Sequence, residues 1–385
     1  MIVHSKHRPI MIGMVAGEMS GDFLGAGLIK ELKKHLKNVY FFGIGGAKMQ
    51  SENMQSWYNI EELSIIGIIE ILTKIPKILY IRKNIIRKFI QLKIDIFIGI
   101  DSPDFNITLE KKLKAHGIHT VHYVSPSIWA WRKNRIFKLK KAIDKILVLL
   151  PFEKKIYDQY KIPCHFVGHS LADHIPLIPD KITARQKLGI PINARCLVLL
   201  PGSRITEIKM LTPDFLTCAK LLKYHYPDLK ILVPLNTQKS IKKFIDISEN
   251  SIKCRVLYTQ KTWEIIMAAD VALVASGTAT LECMLVKCPM VVAYRINPLT
   301  FMLIKYLIKV PWISLPNLLA NCELVKEFIQ HDCKPKKLTE TLIDLLNNNN
   351  TPQQVILKNK FTQIHYYIKC NANKLAAKTI LELIK

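Results

Sequence analysis

Residues 94–106 read IDIFIGIDSPDFN, and this stretch decides the fold. An apolar run ends at Ile100 and gives way at once to Asp101, while Pro103 stops the extended run and Asp104 is placed to open a helix. A short buried strand followed by a helix is typical of a parallel sheet. The pattern predicts Asp101 at the carboxyl end of a central strand, where a lone carboxylate can act as a general base toward an alcohol. The alternative is that Asp101 only caps the loop.

The same alternation of short apolar runs and helical periodicity continues along the chain. We predict strands near residues 9–15, 40–42, 94–100, 119–123, 145–150 and 165–167, and again near 196–200, 229–234, 255–258, 271–275 and 290–293. Only helical signals follow Pro335. The predicted fold class is α/β, with two facing Rossmann-like domains of parallel strands and a C-terminal helix that crosses back to the N-terminal domain.

The domain organisation follows from length and from one interruption of the pattern. A chain of 385 residues exceeds an ordinary domain of about 100–200 residues, so two domains are expected. Pro176 and Pro179 interrupt the pattern between residues 173 and 183, which predicts a linker there. The predicted boundaries are 1–173 and 184–345 for the two domains and 351–385 for a helical tail packed on the first domain.

The chain is strongly basic, with 56 Lys and Arg against 30 Asp and Glu and a formal net charge of +26. Such a charge favours phosphates, nucleic acid or an anionic lipid surface as partners. The alternative is compositional drift, because lysine, isoleucine and asparagine are used heavily throughout. The charge by itself does not choose between these readings.

Cysteine usage and hydropathy indicate the compartment. None of the nine cysteines has Cys-x-x-Cys spacing, and most lie in apolar runs, so we interpret them as reduced core residues of a cytosolic protein. No apolar run reaches about 18 residues, so neither a membrane span nor a secretory leader is predicted. No Asp-x-Asp pair and no His/Cys cluster has ligand spacing, so no metal site is predicted.

Residues 65–81, IIGIIEILTKIPKILYI, form the most apolar segment, but Glu70, Lys74, Pro76 and Lys77 interrupt it. Cations follow directly, so an apolar surface ringed by positive charge could rest on anionic headgroups without crossing them. The alternative is a pair of ordinary buried helices. The predicted membrane surface consists of Ile65, Ile66, Ile68, Ile69, Leu72, Arg82 and Lys83.

The first strand ends in the loop GMVAGEMSGD, residues 13–22, at the place where open α/β sheets bind ligands. Gly-x-Gly-x-x-Gly is absent, so the glycines of this loop do not fit a dinucleotide site. Glu18 and Ser20 bring a carboxylate and a hydroxyl that could hold sugar hydroxyls. The alternative is helix capping by Ser20 or Asp22.

Two loops in the second half are suited to phosphate. LPGSR, residues 200–204, follows a strand, and Arg204 can hold a phosphate through two parallel hydrogen bonds. Residues 275–280, ASGTAT, lead from a strand into a helix. An anion could therefore bind there to the helix dipole and to the amides around Ser276, Gly277 and Thr278. Glu282, one turn on, could accept hydrogen bonds from a ribose. The alternative is that both loops are simple turns.

Residues 121–135, VHYVSPSIWAWRKNR, set Trp129 and Trp131 among cations. Tryptophans among cationic residues are typical of the wall of a ligand-binding site. For this segment taken alone, the alternative is stacking against the bases of a nucleic acid.

Taken together, these segments resemble the lipid-A-disaccharide synthase family of membrane-associated glycosyltransferases. The motifs that carry the resemblance are AGEMSGDFLGA (16–26), GIGGAKMQ (43–50), DSPDFN (101–106), HYVSPSIWAWR (122–132), LPFEKKIYD (150–158), VGHSLAD (167–173), LPGSRITEI (200–208), ASGTATLECMLVKCPMVVAYR (275–295) and SLPNLLA (314–320). They are spread over most of residues 10–335. Departures are small: Ser102 stands where alanine is expected, and Ser170 where proline or threonine is usual.

The resemblance implies a GT-B fold and a reaction. The family joins UDP-2,3-diacylglucosamine to 2,3-diacylglucosamine 1-phosphate, which gives a β-1′,6 disaccharide and UDP. It implies Asp101 as base for the acceptor hydroxyl, Glu18 as an accessory acid, Ser20 as a substrate contact, and a UDP pocket lined by Arg204, Ser276, Gly277, Thr278, Glu282 and Asn317. No cofactor is expected, and the predicted location is peripheral, on the cytoplasmic face of the bacterial inner membrane. The oligomeric state stays open, a homodimer being one option.

Three alternatives remain at this stage. Another transferase of the same architecture would keep the phosphate loops but use a different acceptor. A sugar-nucleotide epimerase or hydrolase would turn over the donor alone. A nucleic-acid binder, which we do not expect, would lose affinity steeply with salt and ignore UDP.

Overall fold

The computed structural model describes residues 8–63, 68–129, 134–249, 251–298, 301–302, 310–348 and 351–384, with the backbone alone for residues 68–74. The chain divides into two compact units. The first runs up to Ser170 and resumes at Ile368, and the second comprises residues 171–367.

The first unit is built on a seven-stranded parallel sheet in the order β3-β2-β1-β4-β5-β6-β7. Its elements are β1 (Ile10–Ala16), α1 (Met19–His35), β2 (Val39–Ile44), α2 (Ala47–Ser51), β3 (Met54–Ser56), α3 (Ile68–Leu92), β4 (Ile96–Ile100), α4 (Pro103–Ala115), β5 (His119–Tyr123), α5 (Arg135–Ala142), β6 (Lys145–Val148), α6 (Pro151–Gln159) and β7 (Cys164–Phe166). A 3-10 turn, Ile60–Glu62, precedes α3.

The second unit holds a six-stranded parallel sheet in the order β10-β9-β8-β11-β12-β13. Its elements are α7 (Ser170–His174), α8 (Lys181–Leu188), β8 (Cys196–Leu200), α9 (Ile205–His225), β9 (Lys230–Leu235), α10 (Gln238–Ser248), β10 (Arg255–Tyr258), α11 (Thr262–Ile266), β11 (Val271–Ala275), α12 (Thr278–Leu285), β12 (Met290–Tyr294), α13 (Leu315–Ala320), β13 (Glu327–Ile329), α14 (Pro335–Asn347) and α15 (Pro352–Ile368). The last helix, α16 (Ala372–Leu381), belongs to the first unit.

The central strands are apolar at every position because helices cover both faces of each sheet. All five residues of β4 are buried, as are all five of β8 and of β11. A strand covered on both faces has no solvent side and therefore loses the alternation of apolar and polar residues. This is why the uninterrupted apolar runs predicted these strands, and the α/β fold class with parallel sheets is confirmed.

Two strands were missed, and one helix differs from the prediction. β3 and β13 have three residues each and lie at sheet edges, too short for a periodic signal. The predicted single C-terminal helix is two helices, because Asn371 adopts a left-handed φ of 57° between α15 and α16. α16 packs on α1, where a Cβ on Gly27 would come within 2.3 Å of the Asn373 side chain.

Each sheet has one switch point, where neighbouring strands are not consecutive and their connections leave in opposite directions. In the first sheet it lies between β1 and β4, and in the second between β8 and β11. Ligands of open α/β sheets bind outside the carboxyl ends of the strands at such points. The loops after these four strands are therefore the places to examine for a site. Within the described ranges, no helix is long and apolar enough to cross a membrane.

Candidate active site

Asp101 follows β4 directly, at the switch point of the first sheet. It has a φ of 54° and the next residue, Ser102, has a φ of 43°. The Asp101 amide donates to the Tyr123 carbonyl at 2.9 Å, so the turn remains attached to the end of β5. Two successive residues with left-handed backbone are rare outside glycine, and such strain is concentrated at functional sites.

Asn106, near the start of α4, is hydrogen-bonded to the turn that carries Asp101. Its side chain is buried, and Nδ2 donates to the carbonyl oxygens of Asp101, at 2.8 Å, and of Val15, at 3.2 Å. One amide group therefore connects the ends of β1 and β4. Asn106 was not predicted as a site residue.

Glu18 and Ser20 lie on the other side of the same switch point. Glu18 occupies the position before the first turn of α1, and both side chains are exposed. They are placed where a ligand could reach them at the end of β1.

Asp22 does not cap α1, which the sequence left as an alternative. Its buried carboxylate instead accepts hydrogen bonds from the amides of Gly46 at 2.8 Å and of Lys48 and Met49 at 3.0 Å. These amides lie at the start of α2, so Asp22 caps that helix across 24 residues of sequence. The AGEMSGD and GIGGAKM motifs are thereby joined.

The segment after β5 is held by buried polar contacts. Trp129 Nε1 donates to Glu153 at 3.1 Å, and Ser125 and Tyr157 share a hydrogen bond of 2.8 Å. Burial raises the pKa of the Glu153 carboxyl to about 7, against the hydrogen bonds that it accepts. Trp131 lies outside the described residues.

In the second unit, Arg204 lies at the end of the loop after β8, with its side chain 61% exposed. The amides of Ser203 and Arg204 donate to the carboxylate of Glu207 at 3.1 and 3.2 Å. Gly202, with a φ of 113°, lets the loop curve around that carboxylate. The Glu207 carboxylate already engages these amides, and its other oxygen lies 3.6 Å from the exposed Arg204 guanidinium.

The loop after β11 contains Ser276, Gly277 and Thr278. Gly277 has a φ of 144° and is open around its Cα, since an added Cβ would meet no atom within 4 Å. Ser276 Oγ donates to the carbonyl of Ile313 at 2.8 Å, and Thr280 Oγ1 donates to the Gly277 carbonyl at 2.8 Å. Gly277 and Thr278 are exposed at the amino end of α12.

Glu282 lies in the second turn of α12. Its Oε2 is buried without a hydrogen-bond partner among the described residues, and burial raises the pKa of the carboxyl to about 7. An unpartnered carboxylate near a loop of this kind is suited to accept hydrogen bonds from a ligand.

Asn317 is fully buried in α13, and its amide is saturated by the protein. Nδ2 donates to the Val325 carbonyl at 2.9 Å and to Glu327 at 2.8 Å, while Oδ1 accepts from the amides of Leu324 at 2.7 Å and Val325 at 2.9 Å.

Glu327 completes this network from β13. Its carboxylate also accepts from the Ile313 amide at 2.9 Å, and from the Ser314 amide at 3.0 Å and hydroxyl at 2.6 Å. Because Ile313 in turn accepts from Ser276, the network fixes the segment that borders the Gly277 loop.

The predicted membrane surface is described in part. Ile65 and Ile66 lie outside the described residues, while Ile68, Ile69 and Leu72 belong to α3 by their backbone. Arg82 is half-buried and Lys83 is exposed. On the same helix, three further apolar side chains are exposed: Ile75 (39%), Leu79 (48%) and Tyr80 (64%).

Within the described ranges, no group of three or more His, Cys, Asp and Glu side chains is placed to hold a metal ion.

Comparison with solved structures defines the fold. The chain is similar to a UDP-GlcNAc 2-epimerase from Neisseria meningitidis, with a TM-score of 0.63, 14% identity, and coverage of 97% of this chain and 100% of the other. It is also similar to MurG from Acinetobacter baumannii, with a TM-score of 0.55, 14% identity, and coverage of 97% and 100%. These likenesses show the fold, which is that of the GT-B class.

The sequence comparisons identify the family. The family model described as lipid-A-disaccharide synthetase matches residues 12–380. Lipid-A-disaccharide synthases from Blochmanniella pennsylvanica (strain BPEN) and Serratia proteamaculans (strain 568) are 67% and 51% identical, over 100% and 99% of this chain and 99% and 100% of theirs. The chain therefore belongs to the lipid-A-disaccharide synthetase family. It is a glycosyltransferase, its function is synthesis of the lipid A disaccharide, and the predicted family and activity are confirmed.

Proposed function

We propose that the chain transfers 2,3-diacylglucosamine from UDP-2,3-diacylglucosamine to the 6-hydroxyl of 2,3-diacylglucosamine 1-phosphate, with Asp101 as general base. The observation that carries the proposal is the position of Asp101, on a strained turn at the switch point of the first sheet.

The reaction is a single displacement. Asp101 takes the proton of the acceptor hydroxyl as the oxygen attacks the anomeric carbon of the donor. The new C–O bond forms while the bond from that carbon to the UDP oxygen breaks, and the α linkage becomes β. General-base assistance of this kind contributes about 10²–10⁴-fold to a rate.

The UDP site is proposed around the second switch point. Arg204 and the amino end of α12 at Gly277 and Thr278 would stabilise the charge that develops on the departing diphosphate. Ser276 shapes this loop, and Glu282 accepts from the ribose hydroxyls. The saturated amide of Asn317 supports its placement as a residue that holds the wall of the pocket, with Glu327, rather than one that bonds the nucleotide.

In the first unit, Glu18 is proposed as the accessory acid and Ser20 as a contact to sugar hydroxyls. Their exposure at the end of β1, beside the turn that carries Asp101, supports this role. The first domain, predicted as residues 1–173, would take the acceptor, and the second, predicted as 184–345, the UDP-sugar. The tail, predicted as 351–385, would complete the first domain.

We place the protein on the cytoplasmic face of the inner membrane, bound peripherally. Ile75, Leu79 and Tyr80 are exposed on α3, and Lys83 and Arg87 follow on the same helix at a spacing of three to four residues. Residues at this spacing share a helix face, so apolar and cationic groups can meet acyl chains and anionic headgroups together.

The test is a detergent-micelle assay with both substrates and with the donor alone, read by mass spectrometry. Wild type should form the disaccharide only when the acceptor is present, and Asp101→Asn should lose about 10²–10⁴-fold in kcat. Asp104→Asn is the control, because it removes a carboxylate three residues away that is 80% exposed and pairs with Arg135, and it should leave turnover nearly unchanged. Donor consumption without acceptor, or full activity of Asp101→Asn, would contradict the proposal.

A further inference from the structure

Arg82 of α3 lies beside the start of α4, which follows the turn that carries Asp101. Its Nη1 is 3.5 Å from the main-chain carbonyl oxygen of Asp104, in the first turn of α4. Asp104 follows Asp101 by three residues, and three residues of chain span at most about 11 Å. The fold therefore brings the guanidinium of Arg82 into the neighbourhood of the proposed base.

Arg82 has no counter-ion among the described residues. The carboxylate of Asp104 pairs with Arg135 of α5, and no described carboxylate forms an ion pair with Arg82. The side chain of Arg82 is half-buried, and this burial lowers the pKa of the guanidinium. A cation beside the amino end of a helix also meets the positive end of the helix dipole. Because burial and the dipole both disfavour a cation here, the stability of the fold does not account for Arg82.

The helix α3 presents Arg82 together with apolar side chains. Ile75, Leu79 and Arg82 follow one another at spacings of four and three residues, so they share one face of the helix. Ile75 and Leu79 are exposed, whereas Ile81, on another face, is buried. Seven residues of helix extend about 10 Å. One face of α3 therefore leads from exposed apolar groups to a guanidinium that lies near the turn of Asp101.

This order of groups matches the chemistry of the proposed acceptor. 2,3-Diacylglucosamine 1-phosphate carries acyl chains, a phosphate and the reacting 6-hydroxyl on one sugar. Apolar side chains suit the acyl chains, and a guanidinium binds phosphate through parallel charge-assisted hydrogen bonds. A carboxylate accepts the proton of the hydroxyl. A single acceptor molecule can therefore use all three kinds of group.

We propose that Arg82 binds the 1-phosphate of the acceptor and, with the acyl chains directed towards Ile75 and Leu79, sets the 6-hydroxyl at Asp101. Arg82 thereby makes the enzyme specific for a phosphorylated acceptor. The inference rests on the proposed function. Phospholipid headgroups offer the same phosphate chemistry, and Arg82 was predicted as a cation of the membrane surface, so the two sources of phosphate are compared directly.

The test measures kcat/KM in micelles of neutral detergent with two acceptors, 2,3-diacylglucosamine 1-phosphate and 2,3-diacylglucosamine. Wild type should prefer the phosphorylated acceptor. Arg82→Gln should lose about 10–100-fold towards that acceptor, the usual weight of hydrogen bonds between charged groups, and little towards the other. Arg82→Lys keeps the charge without the planar fork and should lose less. KM for the UDP-sugar should not change, because its site is proposed on the second unit.

Arg8→Gln is the matched control. Arg8 is an exposed arginine of the same unit whose guanidinium also bonds a main-chain carbonyl, that of Lys93. Asp95 supplies its opposite charge at 3.7 Å. Because Arg8 precedes β1, it lies at the edge of the sheet opposite to Asp101, and Arg8→Gln should change neither the rate nor the preference between acceptors.

Equal losses of Arg82→Gln towards both acceptors would overturn the proposal. So would an unchanged preference together with weaker binding to phosphatidylglycerol vesicles, which would assign Arg82 to the headgroups of bulk lipid. If Arg82→Gln does not fold, Arg82→Lys is compared in the same way, and an unchanged preference in that variant refutes the assignment. A wild type that makes no disaccharide from either acceptor rejects the proposed function, whereas equal use of both acceptors rejects only the role of Arg82.

Discussion

The backbone of Gly17 approaches Ser102 so closely that a Cβ built on Gly17 would lie 1.7 Å from Ser102 Oγ and 2.5 Å from Ser102 Cβ. Gly17 follows β1 and Ser102 follows β4, so the contact joins the two strand ends that flank the switch point of the first sheet. Glycine is needed at residue 17 because of this approach. The alanine expected at residue 102 would leave the Cβ contact in place.

Gly17→Ala should therefore displace the turn that carries Asp101. We expect a destabilisation of about 1–3 kcal/mol, the usual range for overpacking, together with a loss of disaccharide synthesis. Adding Ser102→Gly removes both offending atoms and suits the left-handed φ of residue 102, so Gly17→Ala/Ser102→Gly should recover most of both. Thermal unfolding and the micelle assay measure the two effects. A double variant no better than Gly17→Ala alone would show that the contact is not responsible.

Glu282→Gln should change how stability depends on pH. The pKa of Glu282 is raised from its ordinary 4.5 to about 7 in the folded state. Between these values the folded protein holds a proton that the unfolded chain releases, so Glu282 lowers stability as pH rises through this window.

We expect the melting temperature of the UDP-free Glu282→Gln variant to rise relative to wild type between pH 5 and pH 8, and to match it near pH 4. UDP affinity should fall in the same variant, because one acceptor oxygen becomes a donor. Glu264→Gln, on the exposed face of α11, is the control. A difference from wild type that does not vary with pH would contradict the assignment.

Glu327→Gln should weaken UDP binding, although we propose that Glu327 holds the wall of the UDP pocket and does not contact the nucleotide itself. Glu327 accepts four hydrogen bonds, from Ile313, from both groups of Ser314 and from Asn317, and an amide can accept at only one of its ends. We expect a loss of about 1.5–3 kcal/mol in stability, measured by denaturant unfolding, with a parallel loss of UDP affinity by calorimetry.

Glu323→Gln breaks only an exposed pair with Lys326 and should change neither quantity measurably. Asn317→Ala should resemble Glu327→Gln in both measurements. Reduced UDP affinity with unchanged stability in Asn317→Ala would instead indicate direct contact with the nucleotide.

Leu79→Ser/Tyr80→Ser should reduce binding to vesicles that contain phosphatidylglycerol, because these side chains are exposed on α3 and supply apolar contact. Lys83→Gln/Arg87→Gln should weaken binding by about 1 kcal/mol per cation at low salt, and this loss should vanish at high salt. Sedimentation with vesicles measures both. Tyr224→Ser removes a still more exposed aromatic residue, on α9, and is the control. Equal losses in the control would argue against a defined surface on α3.

The sequence by itself determined the α/β class, the central strands and the strand-end positions of Asp101, Arg204 and Gly277. These are local properties. A strand covered on both faces must be apolar throughout, and a polar residue or glycine that ends such a run must lie at the edge of the sheet. The motifs also indicated the family, since their order and length are specific to it.

Only the tertiary structure decided what holds these groups in place. The hydrogen-bond partners of Asp22, Glu110 and Glu327 lie 10 to 27 residues away in the sequence. No periodic pattern in the sequence predicts a hydrogen bond between such distant residues. Asn317 shows the difference: the family resemblance predicted that it lines the UDP pocket, but its four hydrogen bonds to the protein became visible only with α13 packed against the segment before β13. Apolar burial is encoded residue by residue along the chain, whereas the pairing of buried polar atoms depends on which segments the fold brings into contact.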